Sequence, residues 1–123
     1  VILAGNGTIR RRASKQLRLF AEKTGIGVIN TFMSKGAVDM DAPYSLFTIG
    51  LQAKDYASIA IDQSDLVITL GYDMVEYHPA LWNPDRRKRI IHADFLPAEI
   101  DSDRALVPDD VTLITRVASL SVE

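Results

Sequence analysis

Short runs of apolar, largely β-branched residues recur along this chain, each closed by a turn residue and followed by a helix-length interval. The clearest is Leu66-Val67-Ile68-Thr69-Leu70, a nearly unbroken apolar run that stops at Gly71. A strand with one wet face alternates apolar and polar residues, whereas a strand that is apolar throughout must be covered on both faces. Residues 1–4, 28–32, 89–94 and 111–114 have the same character and are expected to be strands of the same sheet. Between the first two runs, Ile9, Ala13, Leu17, Phe20, Ala21 and Thr24 fall three and four apart. That spacing predicts one amphipathic helix with its apolar stripe on the sheet, ended by Gly25 as a C-terminal cap. Strand, helix and strand in this order suit a right-handed parallel crossover.

Farther along, residues 53–63 read as a second helix, with Ala53, Tyr56, Ala57, Ala60 and Ile61 on one face. The stretch 33–52 contains Gly36, Pro43 and Gly50 without sustained periodicity and reads as mostly loop with a short helical turn. Residues 72–85 read as a loop, 97–100 as a short turn or helix, and a terminal helix is expected from about Thr115. Strands that alternate with helices and read as apolar runs specify an α/β domain. The expected fold is three-layered and Rossmann-like, with a doubly wound, mostly parallel sheet.

Length and composition narrow the functional classes. The chain has 123 residues, 47% hydrophobic and 24% charged, which suits one globular domain with its own core. It holds no Cys, which excludes disulfides, a thiol nucleophile and thiolate metal ligands. A net charge of −2 gives no electrostatic case for nucleic acid, and the clusters Arg10-Arg11-Arg12 and Arg86-Arg87-Lys88-Arg89 are local. No apolar run approaches the roughly 20 residues that span a bilayer, and no signal peptide is present. A soluble, cytoplasmic domain is expected, and a first residue of Val suggests a piece of a longer chain.

In a doubly wound sheet, ligands sit beyond the carboxyl ends of the strands where strand order reverses. Gly5 and Gly7 follow the first strand, and Gly71 and Asp94 end later ones, so these four form the candidate nucleotide crevice. The dinucleotide fingerprint is nevertheless incomplete. Arg10 stands where its third glycine belongs, the second strand ends Asn30-Thr31 without an acidic residue, and no G-K-[ST] follows. No catalytic constellation is visible either. His78, with Asp73 and Glu76 nearby, lacks the spacing of a metal-binding helix, and His92 inside an apolar strand reads as a core residue. No catalytic or metal-ligating residue is therefore assigned.

The blocks "VILAGNG", "AEKTGIGVINTFMSKGAVDMDAP", "SDLVITLGYDMVEYHPALWN" and "IIHADFLPAEID" together resemble the central domain of thiamine-diphosphate-dependent enzymes, closest to the acetolactate synthase group. The resemblance implies that residues 1–123 are one central domain of a three-domain enzyme. Flanking pyrimidine- and diphosphate-binding domains would carry thiamine diphosphate, Mg²⁺ and the catalytic glutamate. The parent would convert two pyruvates to 2-acetolactate and CO2 and assemble as a homo-oligomer, and this fragment alone would be inactive. FAD-containing relatives usually carry Arg two residues after the glycine that is Gly71 here, and this chain has Asp73. The string G-Y-D-x-x-E-Y-x-P-x-x-W-N resembles the catabolic, FAD-independent type, so FAD is not expected and the crevice is read as vestigial. The competing reading is an FAD- or ADP-binding domain like those of pyruvate oxidase or oxalyl-CoA decarboxylase. Lys35-Gly36 is either a structural turn or, as the resemblance implies, an access or interface element.

Overall fold

The computed structural model describes residues 1–50, 55–96 and 111–114. Six parallel strands form a single sheet in the order β3-β2-β1-β4-β5-β6. They are β1 (Ile2–Ala4), β2 (Val28–Asn30), β3 (Ser45–Thr48), β4 (Leu66–Leu70), β5 (Arg89–Ala93) and β6 (Val111–Ile114). The helices are α1 (Asn6–Arg10), α2 (Ser14–Thr24), α3 (Tyr56–Gln63) and α4 (Pro79–Trp82), with a 3-10 turn at Phe32–Ser34. Chain order reverses at β1, which pairs with β2 on one side and β4 on the other. That is the switch point of the expected doubly wound fold, and the carboxyl ends of β1, β2 and β4 meet there.

The two-residue period of the strands builds two cores. Ile2, Ala4 and Val28 face α2, packing with its Leu17 and Ala21 and with Val38 and Tyr44. Leu3, Ile29, Val67 and Ile90 face the other way, against Ala57 and Ile61 of α3 and Trp82 of α4. Each central strand therefore contributes to both layers, which is why the sequence runs are continuous rather than alternating.

The structure places the one-turn helix α4 within residues 72–85, the stretch read as loop, and it departs further from the sequence reading in two places. The single helix expected from Ile9 to Thr24 is two, broken at Arg11–Ala13 with Arg12 in the left-handed region (φ 55°). The cause is a conflict of tethers. The N–H of Gly7 donates to the Gly71 carbonyl (2.8 Å) and the Thr8 hydroxyl to the Leu70 carbonyl (3.0 Å), fixing α1 to the end of β4. The packing of Leu17 and Ala21 fixes α2 on the sheet face, so the chain bends between them. The second departure is β3, within the stretch read as loop. It is a short edge strand whose pairing with β2 skips a residue, Val28 opposite Ser45 but Asn30 opposite Thr48. Phe47, at φ 65° and half exposed, is the residue that the bulge leaves over. The apolar run here, Leu46-Phe47-Thr48-Ile49, is short and set between Pro43 and Gly50, so it read as part of a loop. The expected turn at 97–100 and the terminal helix from Thr115 lie outside the described residues.

His92 sits where the sequence reading put it, buried in β5 opposite Thr69 of β4, whose hydroxyl is 2.7 Å from its Nδ1. Burial lowers the imidazole pKa, with Asp94 opposing. The fold thus favours neutral His92, while the unfolded chain takes up the proton below about pH 6.5. Stability should rise with pH across that window and fall as pH drops through about 6.5 toward the depressed folded value. Denaturation of the protein at pH 7.5 and pH 5.5 checks this: the loss at the lower pH should be smaller for His92→Gln than for wild type.

Candidate functional site: a closed switch point

The turn after β1 is pressed against the turn after β4. A Cβ on Gly5 would lie 2.4 Å from the Gly71 carbonyl oxygen, and one on Gly7 would lie 2.7 Å from the Gly71 Cα. Gly71 itself has φ 56° and meets the backbone of Gly7 and Thr8. The three glycines therefore let two backbones touch, a contact that any side chain would force apart.

The amides of this turn have protein partners. The N–H of Gly5 donates to the Leu70 carbonyl (2.8 Å), that of Gly7 to Gly71 (2.8 Å) and that of Thr8 to Gly5 (3.0 Å). The fourth, on Asn6, donates to Oε1 of Glu76 (2.8 Å). A glycine turn that cradles phosphate does so with backbone N–H groups aimed at the ligand. Here those donors are spent on the Leu70 and Gly71 carbonyls, on the Gly5 carbonyl within the turn and on a carboxylate from the following loop.

Glu76 is the hub of the arrangement. Its Oε1 also accepts from the buried Thr31 hydroxyl (2.9 Å) at the end of β2, and its Oε2 accepts from the Asp73 N–H (2.9 Å). One side chain thus ties together the ends of β1 and β2 and the loop after β4. The 3-10 turn is held in the same place, since the Ser34 hydroxyl donates to the Ala4 carbonyl (2.6 Å).

The rest of the string from Gly71 to Asn83 is equally engaged in the fold. Trp82 Nε1 donates to the Tyr72 hydroxyl (3.1 Å), with the two rings edge to face at 6.1 Å, and that hydroxyl donates to the Tyr77 carbonyl. Burial pushes the Tyr72 phenol well above its usual range, so it remains a donor. His78 Nδ1 accepts from the Ala80 N–H (3.1 Å), capping α4 ahead of Pro79. Asp73 is exposed, and its Oδ1 accepts from the Val75 N–H (3.0 Å). The carboxylate that faces the switch point belongs to Glu76 and not to Asp73, the residue read in the sequence against FAD.

Gly7, Gly71 and Asp94 line one cleft of about 310 Å³, while Gly5 is buried behind them. Lys35 lies elsewhere, exposed beside Gly36 (φ 96°) and bordering a second cleft with Met40, Phe47 and Tyr56. Among the described residues no cluster of three or more His, Asp or Glu side chains could hold a metal ion, and no helix is long and apolar enough to cross a membrane. The backbone N–H groups of the turn are engaged within the fold and are not free to meet the diphosphate of a nucleotide. Sequence reasoning missed Glu76 as the hub. Its signal was position, five residues beyond a strand-ending glycine, where a loop folds back on the sheet edge.

The domain is doubly wound, with the turns at its switch point pressed backbone to backbone. Residues 1–120 match the family model described as thiamine pyrophosphate enzyme, central domain, and the chain belongs to that family. It is 34% identical over 110 residues to an acetolactate synthase of Bacillus subtilis, covering 89% of this chain. Over 126 residues it is 37% identical to an acetolactate synthase of Mycobacterium leprae, covering all of it. A probable acetolactate synthase large subunit of Methanocaldococcus jannaschii is 37% identical over 112 residues, covering 88%. The chain spans only 19% of the length of each of these three relatives.

Removing the Glu76 carboxylate would strand the Asn6 and Asp73 amides and the buried Thr31 hydroxyl. Glu76→Ala should cost about 2–3 kcal/mol of stability, as expected for hydrogen bonds to a partly buried charged acceptor. Glu76→Gln, which keeps one acceptor oxygen, should cost about half as much. Chemical denaturation of the variants against wild type measures both.

Proposed function

We propose that residues 1–123 form the central domain of a thiamine-diphosphate-dependent acetolactate synthase, a carboligase that makes 2-acetolactate and CO2 from two pyruvates. The observation that carries this is the family match over residues 1–120 together with relatives named acetolactate synthase that align along nearly the whole chain. Thiamine diphosphate supplies the electron sink for such chemistry. Its diphosphate and Mg²⁺ belong in this reading to the flanking pyrimidine- and diphosphate-binding domains, with no group of three or more His, Asp or Glu side chains among the described residues here placed to hold the metal. The fragment alone is then inactive. Its role is to fix those domains relative to one another in a cytoplasmic homo-oligomer.

The reading includes independence from FAD, with Gly5, Gly7, Gly71 and Asp94 as a vestigial nucleotide crevice. Two features support it. The amides of the turn at residues 5–8 are all engaged within the fold. The Glu76 carboxylate stands beside Gly5, within 2.6 Å of where a Cβ would be, and would oppose a pyrophosphate on grounds of charge. The same features weigh against an FAD- or ADP-binding domain.

An assay of the full-length polypeptide tests the proposal. With pyruvate, thiamine diphosphate and Mg²⁺ but no FAD, acetolactate should accumulate, measured as acetoin after acid treatment. A polypeptide that turns over pyruvate only after FAD is added, or only another 2-oxo acid, would contradict it.

A further inference from the structure

The closed turn leaves the cleft on the β5 side of the switch point with a different chemistry. The cleft, about 310 Å³, lies between the α1–α2 joint and the ends of β4 and β5. Its floor is apolar, from Leu17, Leu70 and Ala93. Its polar rim is built by Arg11, Arg12 and Asp94.

The Arg11 guanidinium carbon lies 4.6 Å from the centre of the Phe95 ring, which lines the same cleft, so this cation is held at the rim by the ring face. Neither the Arg11 nor the Arg12 guanidinium donates a hydrogen bond to another described residue or forms an ion pair with one. Arg12 is kept at φ 55° by the joint, its N–H donating to Ile9 (3.0 Å) and the next N–H, on Ala13, to Thr8 (2.8 Å). A non-glycine residue in that region carries strain, and strained backbone clusters where a side chain must be aimed. Asp94 is partly committed to its own loop, its Oδ1 accepting from the Phe95 N–H (2.6 Å). Two uncommitted guanidinium groups and one carboxylate leave the rim with one net positive charge.

Because the backbone donors of the turn are spent, an anion entering this cleft must be read by the arginine side chains. A guanidinium fork matches a planar carboxylate in two-point fashion. The apolar floor then calls for a hydrocarbon body behind that carboxylate. We propose that this cleft is a binding site for a small monocarboxylate with an apolar body, the carboxylate held by Arg11 and Arg12 and the body seated on Leu17, Leu70 and Ala93. The site is separate from the thiamine-dependent chemistry and stands whether or not the parent makes acetolactate.

Calorimetric titration of the full-length polypeptide, free of thiamine diphosphate, tests this with 4-methylpentanoate, which has no 2-oxo group to react. Saturable binding is expected with a dissociation constant on the order of 1 mM, in keeping with so small a ligand. The double variant Arg11→Gln/Arg12→Gln should weaken it by about tenfold or more. Should the double variant fail to fold, Arg11→Gln alone, at an exposed rim position, carries the same expectation in direction. Wild type that gives no saturable heat overturns the proposal. So does equal binding by the folded variants, or displacement of the carboxylate by ADP at lower concentration than by the carboxylate's own unlabelled form.

Discussion

The structure turns on one contact, the approach of the Gly5–Gly7 backbone to the Gly71 backbone at the place where strand order reverses. Everything around that contact is arranged to permit it and to satisfy the polar groups it brings together. Main-chain amides beneath a sheet edge are costly to leave unpaired, and here backbone carbonyls and the Glu76 carboxylate take them. The bend between α1 and α2 follows from the same contact, since it lets α1 stay with β4 while α2 lies on the sheet. The cleft at that bend, with Arg11 and Arg12 on its rim, is thus a consequence of the closed turn.

This changes how the glycines are to be understood. Glycines after the first strand of a doubly wound sheet permit either a phosphate or another backbone to come close, and both need the side chain to be absent. The residue types are the same in the two cases. The outcome is decided by whether the amides remain free, and here three are taken by backbone carbonyls and the fourth by Glu76, many positions away in sequence.

Much of the fold was legible because it rests on burial. Residues 66–70 and 89–93 are strands because both faces are covered, and their apolar runs say so directly. The helix break at Arg12 was not legible, because Ile9 and Ala13 continue the apolar spacing although Ile9 is 40% exposed. The pattern carried the sum of two helices with different tethers. Strand β3 was missed since a bulged edge strand is defined by pairing with its neighbour and not by its own composition. At the site, Gly5, Gly7 and Gly71 were brought together as their strand ends implied. Asp73 was read against FAD, yet its side chain turns back to cap Val75 and the carboxylate that faces the crevice is that of Glu76. Which of two acidic residues in one loop reaches the sheet depends on loop geometry that spacing does not encode.

The central claim is that the amides of the turn are committed to the protein. Amide hydrogen exchange at residues 5–8 of the full-length protein, with and without FAD, tests it most directly. The account predicts exchange as slow as that of the neighbouring strands β1 and β4, unchanged by FAD. Rapid exchange in the free protein that slows when FAD is added would contradict it, because the turn would then hold donors in reserve for a phosphate.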